Sequence, residues 1–175
     1  FHGWDTAELS FTDVFVPDAN LIGGKEGMGF VYQMQELPQE RLVLTVAAVA
    51  GMEIAVELTT TYAKERTAFK RKLIEMQNTR FKLAEVKAQA TMLRAFVDDC
   101  LGRAMRGELS AEVGAMCKLV GSELQGKLLD EMLQLHGGYG YMSEYRIGKA
   151  WVDARVARIY GGTSEIMKEI ISRSL

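Results

Sequence analysis

Apolar and polar residues alternate from Ala7 through Leu9, Phe11, Val14 and Val16 to Pro17. A period of two, closed by Pro17, Asp18 and Asn20, predicts a strand followed by a turn. One strand without a hairpin partner is not stable by itself, so this stretch reads as the end of a preceding β domain. Gly23, Gly24 and Gly27 then mark a hinge-like loop.

From residue 29 to about residue 66 the period becomes helical, with Ala47, Ala50, Ile54, Leu58 and Tyr62 recurring at spacings of three and four. Pro38 falls inside this helix. It lacks an N–H and crowds the preceding turn, so it predicts a kink or a restart. A second helix is expected from Asn78 as N-cap, with the stripe Leu83, Val86, Ala90, Leu93, Val97, Cys100 and Ala104, stopped by Gly107. A third begins at Ser110 and carries Val113, Cys117, Val120, Leu124, Leu128, Met132 and Leu135 up to Gly137 and Gly138. A fourth covers about 145–159. A fifth follows Gly161 and Gly162, with Thr163 or Ser164 as N-cap and Glu165 in its first turn, and reaches about Arg173. Three long amphipathic helices and two shorter ones predict an all-α, up-down four-helix bundle with left-handed packing, preceded by a short β remnant. The division expected is residues 1–22 as the remnant and 23–175 as the bundle.

Composition narrows the function classes. The 175 residues carry 21 basic and 23 acidic side chains for a net charge of -2, without the local cationic excess that nucleic acid demands. Two cysteines on apolar stripes read as reduced core thiols, and His2 and His136 are too few to build a histidine metal site. No metal is expected. No uninterrupted run of about 18 apolar residues predicts a membrane span. The start at Phe1, His2, Gly3 and Trp4, with no initiator Met or basic leader, is expected of a piece of a longer chain.

Three spots exceed what a plain bundle needs. Glu36-Leu37-Pro38-Gln39-Glu40-Arg41 is either a solvated charged turn or a carboxylate placed at an irregular helix. Gln134-Leu135-His136-Gly137-Gly138-Tyr139-Gly140-Tyr141 is either a helix C-cap or a backbone bare enough for a planar or phosphate-bearing group. Tyr160-Gly161-Gly162-Thr163-Ser164-Glu165 is a capped helix start whose N–H donors attract anionic or polarised oxygens; capping explains Thr163 but not two glycines.

In this order, and together with Arg66-Thr67-Ala68-Phe69 and Asp153-Ala154-Arg155, these segments resemble the C-terminal helical domain of the acyl-CoA dehydrogenases, flavoproteins that desaturate acyl-CoA thioesters. The likeness covers nearly the whole chain. Leu-Pro-Gln-Glu-Arg-Leu and Tyr-Gly-Gly-Thr are worded most like the long-chain members. The resemblance implies a subunit with an N-terminal helical domain, a middle β domain that ends near residue 22, and this bundle. It implies FAD as cofactor, contacted by Arg66, Gln77, Gln134, Leu135, His136, Gly137 and Gly138, and by Thr163, Ser164 and Glu165. Part of that contact comes from a neighbouring subunit.

Two departures stand out. Most members carry their catalytic glutamate where this chain has Gly161, but the long-chain and isovaleryl types place a base on the long helix, in a segment like Gln39-Glu40-Arg41. Glu40 is the implied base for the α-proton, and the N–H of Gly161 the implied donor to the thioester oxygen, as the β-hydride passes to the flavin. Pro38, Gln39, Arg41 and Gly162 are implied to line the substrate. Lys70 stands where the family usually has glycine, and either disturbs local packing or is tolerated. Asp153 and Arg155, on the fourth helix, read as a structural ion pair.

The resemblance further implies an acyl-CoA substrate, medium to long chains favoured, with an electron-transferring flavoprotein as acceptor. It implies a homo-oligomer, in bacterial cytoplasm or mitochondrial matrix. A branched-chain or oxidase-type member is the alternative within the family; a helical oligomerisation module without turnover is the alternative outside it.

Overall fold

The computed structural model describes residues 7–175; His2 and the first part of the expected remnant lie outside them. Residues 7–16 form no strand, against expectation, and two 3-10 turns, Asp18–Asn20 and Ile22–Gly24, follow. A ladder needs a neighbour, and the described residues offer none: Leu9, Phe11, Val14, Phe15 and Val16 are exposed. The one sheet among the described residues is a hairpin of β1 (Thr67–Ala68) and antiparallel β2 (Arg71–Lys72). Its two tip residues, Phe69 at φ 52° and Lys70 at φ 66°, are both left-handed. Such a turn favours glycine, and Lys70 adopts it with its side chain exposed, at a cost of about 1 kcal/mol.

Helix α1 (Gly29–Glu65) runs through Pro38 as one element, so the restart that was the alternative to a kink does not occur. The missing N–H falls in a mostly exposed opening stretch, and the proline packs on bare backbone of the third long helix. A Cβ on Gly114 would lie 3.0 Å from Pro38 Cα. Seven residues further along both helices, a Cβ on Gly121 would overlap the methyl group of Thr45. Contacts that advance together mean that the two helices run parallel, as first and third members of an up-down order must, and the glycines let them approach closely.

Helix α2 (Gln77–Met105) starts one residue before the expected cap: Met76 occupies the N-cap position with no side-chain bond, and Asn78 is already helical. Gly107, at φ 71°, ends its C-terminal turn. Helix α3 (Ala111–His136) is capped as expected, the Val113 N–H donating to Ser110 Oγ at 3.1 Å. Helix α4 (Arg146–Arg155) is shorter than expected and passes into a 3-10 turn, Val156–Arg158. Helix α5 (Ser164–Ser172) settles its cap on Thr163, whose Oγ1 accepts the Ile166 N–H.

Helix α3 packs against all four other helices. The core is shared by Leu42, Val49 and Met52 of α1, Leu83, Leu93 and Val97 of α2, Leu128, Leu129 and Met132 of α3, and Ile147 of α4. Full burial of a side chain such as Leu93 stabilises the fold by roughly 2 kcal/mol. The predicted stripe of α2 is buried in register. That of α1 is displaced: Thr45, Val49, Met52, Ala55, Thr59 and Ala63 face inward, while Ala47 is exposed and Ile54 is 47 % exposed. With a mean hydropathy of 1.8 over its most apolar window, α1 is long and apolar enough to cross a membrane, yet its inward face is part of this core.

Candidate functional site

The expected site residues gather at opposite ends of the α1 and α3 pair. Near the start of α1, Glu40 and Gly161 line a single cavity of about 550 Å³, together with Glu36, Gln39, Val43, Leu44 and Tyr160. The cavity thus holds two carboxylates of one helix, Glu36 and Glu40, one glycine backbone, and an apolar wall. Burial pushes the Tyr160 phenol up from its ordinary value. Gln39 lines it as expected; Pro38, Arg41 and Gly162 do not.

Arg41 turns inward instead. It is 5 % exposed, and its Nε donates to the Gly161 carbonyl at 3.2 Å. Beside it lies a residue the sequence reading missed, Lys118 of α3, 1 % exposed, whose Nζ donates to the Gly162 carbonyl at 2.5 Å. Desolvation lowers both, with repulsion from Arg41 adding to the effect on Lys118 and the neighbouring Glu40 partly restoring Arg41. Gly161 and Gly162 have φ of 65° and 97°, and a Cβ on Gly162 would lie 2.7 Å from Met167 Cε. Successive left-handed residues explain why the loop carries two glycines where a cap alone needs none.

The helix start beyond the loop is occupied by its own capping. Thr163 Oγ1 accepts from Ile166, and Ser164 turns inward to donate to Glu123 Oε1 at 2.7 Å. The Glu165 carboxyl is held below its usual range by its own backbone N–H and by the Thr163 hydroxyl. What this segment offers outward is backbone and the exposed Glu165 carboxylate.

At the other end, Arg66, Gln134, Leu135, His136, Gly137 and Gly138 line a second cavity of about 590 Å³ with Tyr62, Leu73, Tyr139 and Met142. Gln77, expected among them, is not part of its wall. Tyr62 stacks on His136 with centroids 4.3 Å apart, and its hydroxyl donates to the His136 carbonyl at 3.2 Å. The Arg66 guanidinium lies 4.8 Å above the Tyr139 ring. Burial lowers the proton affinity of His136, against a hydrogen bond from Nδ1 to the Met132 carbonyl at 2.9 Å. No neighbour lies where Cβ atoms would be at Gly137 or Gly138, so the backbone is open to a ligand there. Flat aromatic faces, a cation and bare peptide suit a planar, phosphate-bearing group. From Glu40 to Arg66 along α1 is about 39 Å, longer than one extended dinucleotide.

The model of the acyl-CoA dehydrogenase C-terminal domain matches residues 27–175. The mitochondrial long-chain specific acyl-CoA dehydrogenase of Mus musculus is 50 % identical over 171 residues, which are 98 % of this chain and 40 % of the mouse protein. The crystal structure of acyl-CoA dehydrogenase from Geobacillus kaustophilus superposes with a TM-score of 0.88 at 43 % identity, over 94 % of this chain and 43 % of that one. An FAD complex of PigA superposes at 0.83 with 27 % identity, over 94 % and 43 % of the two chains. The chain thus spans about two fifths of the length of these relatives.

Proposed function

Because the chain belongs to the acyl-CoA dehydrogenase family, we propose that it is the bundle part of an FAD-dependent enzyme that desaturates acyl-CoA thioesters, with Glu40 as base. The observation that carries this reading is the cavity in which Glu40 and Gly161 meet, although no local pattern links them. Medium to long chains fit the apolar Val43 and Leu44 wall and the likeness to long-chain relatives.

In this reading Glu40 takes the α-proton, and the N–H of Gly161 donates to the thioester oxygen as negative charge develops there. A thioester α-proton is too weakly acidic for a carboxylate unless the enolate is met by fixed donors in a water-excluding site. Val43, Leu44 and Tyr160 exclude that water once an acyl chain covers them. Bound FAD supplies the acceptor for the β-hydride.

The second cavity fits the adenosine and pyrophosphate part of FAD: Arg66 for phosphate, the Tyr62, His136 and Tyr139 faces for stacking, and the open backbone at Gly137 and Gly138. The Gly162 to Glu165 backbone lies at the far end, so one chain serves two flavins, and the enzyme works as a homo-oligomer in which neighbours complete each other's sites. Electron-transferring flavoprotein is the proposed acceptor.

The test uses the full-length protein. It purifies yellow, assembles above monomer size in light scattering across dilution, and its flavin bleaches on rapid mixing with acyl-CoA. A flavin-free protein that FAD cannot reconstitute, or a yellow one that acyl-CoA leaves oxidised, overturns the proposal.

A further inference from the structure

Two cations buried side by side with no carboxylate partner are expensive, because each loses its hydration and they repel each other. Among the described residues neither Arg41 nor Lys118 forms an ion pair. Of the acids that favour charged Lys118, Glu123 is engaged by Arg158 at 2.9 Å and by Ser164, and Glu165 by its own backbone N–H and Thr163; Glu40 favours charged Arg41 without bonding it. A bundle built only for stability places Met or Leu at position 118. What the two side chains do instead is grip successive carbonyls, Arg41 that of Gly161 and Lys118 that of Gly162.

A trans peptide points its N–H opposite its C=O. With both carbonyls drawn toward the cations, the N–H groups of Gly162 and Thr163 point the other way, and neither has an acceptor among the described residues. Two adjacent glycines leave the loop free to rotate, so its orientation has to come from contacts outside its own backbone preference.

We propose that Lys118, with Arg41, is a positioning residue: the pair clamps the Gly161 and Gly162 carbonyls, holds the left-handed backbone of Gly161 so that the N–H it offers the thioester oxygen keeps its place at the cavity wall, and sets buried positive charge beside the developing enolate oxygen. This rests on the dehydrogenase reading given above. Buried positive charge in a low-dielectric setting stabilises negative charge that develops nearby, and a field fixed in advance costs no reorganisation as the reaction proceeds. Arg41 accordingly serves the loop rather than the substrate.

The test is Lys118→Met in the full-length, flavin-loaded enzyme, followed by two readouts. Rapid mixing with acyl-CoA gives the limiting rate of flavin reduction. Isotope-edited infrared spectroscopy of a bound enoyl-CoA, carbon-13 labelled at the thioester carbonyl, reads the polarisation of that carbonyl. The expected result is apparent acyl-CoA affinity within about threefold, a limiting rate lower by about 10- to 100-fold, below the loss for a donor that touches the oxyanion directly, and a carbonyl stretch moved toward its value in water-free solvent. Lys118→Gln keeps a neutral donor for the Gly162 carbonyl and should fall between the two; it takes over the test if the Met variant does not assemble.

A slower rate with an unmoved carbonyl stretch means that Lys118 is structural only, and overturns the proposal, as does a wild-type rate in both variants. If the dehydrogenase reading itself fails, wild-type protein shows no flavin reduction at all, so the two failures are distinguishable.

Discussion

The two ends of the α1 and α3 pair are built on opposite principles. At the Glu40 end, buried cations hold a loop of left-handed glycines whose conformation no other residue adopts easily. At the Arg66 end, aromatic rings stack on one another, and of its two glycines Gly138 is not left-handed and neither has a neighbour where a Cβ would be. The first spends stability on a fixed arrangement of donors, as a reacting centre requires. The second gains stability from the same contacts that shape it, as a binding surface can. Binding needs a face; chemistry needs an angle.

The largest test of that contrast is Glu40→Gln in the full-length enzyme. It should keep flavin and acyl-CoA but lose the rate of flavin reduction by roughly 10²–10⁴-fold, because the amide cannot accept the α-proton. Removing the Arg66 guanidinium as Arg66→Ala should do the reverse, weakening flavin retention on dialysis while leaving the rate of the remaining flavin-loaded enzyme nearly intact. Near-normal reduction in Glu40→Gln would empty the first end of its chemistry.

Next comes the backbone. Gly162→Ala forces a side chain to φ 97° against Met167, and should lower stability by about 1–3 kcal/mol. Gly138→Ala, in open space without positive φ, should change it by less than about 0.5 kcal/mol. The measurement is the shift in thermal unfolding midpoint. Equal shifts would show that the two glycine pairs are used alike.

How much of this contrast a sequence can carry depends on the helix. The α2 stripe from Leu83 to Cys100 was legible because its other face is polar, leaving one phase for the periodicity to take. In α1 the residues between Leu42 and Ala63 are apolar nearly all round, so Ala47, Ala50 and Ile54 fit a helical period as well as Thr45, Val49 and Met52, and only packing on α3 chooses. Lys118 was invisible for a related reason: a lysine in a helix reads as surface, and nothing local says that its acceptor lies 44 residues away. Ser110, Gly107 and Thr163 were legible because caps are local chemistry. The pairing of Glu40 with Gly161 came from resemblance alone, since no spacing rule reaches across the 120 residues that separate Arg41 from the carbonyl it holds.

At the aromatic end a smaller change is informative. Tyr62→Phe keeps the ring on His136 but removes the donor to the His136 carbonyl, and should lower stability by about 1 kcal/mol. A loss several times larger would mean that this end, too, depends on one fixed polar contact.

The smallest expected effect is a pH dependence. Burial holds the proton affinity of His136 below its ordinary value of 6.5, so the unfolded chain takes up a proton first as the pH falls. The stability that neutral His136 confers is therefore fully present above pH 6.5, declines as the pH drops below it, and levels off only beneath the folded-state value. His136→Asn keeps a donor in the place of Nδ1 but cannot titrate. Thermal midpoints of both proteins between pH 7.5 and 5 isolate the effect, because the carboxylates that also titrate in this range are common to the two. The advantage of the wild type over His136→Asn should shrink toward pH 5. A constant difference would show that the folded protein binds this proton as readily as the unfolded chain, and that the stacked end is open to water in a way its 5 % exposed histidine denies.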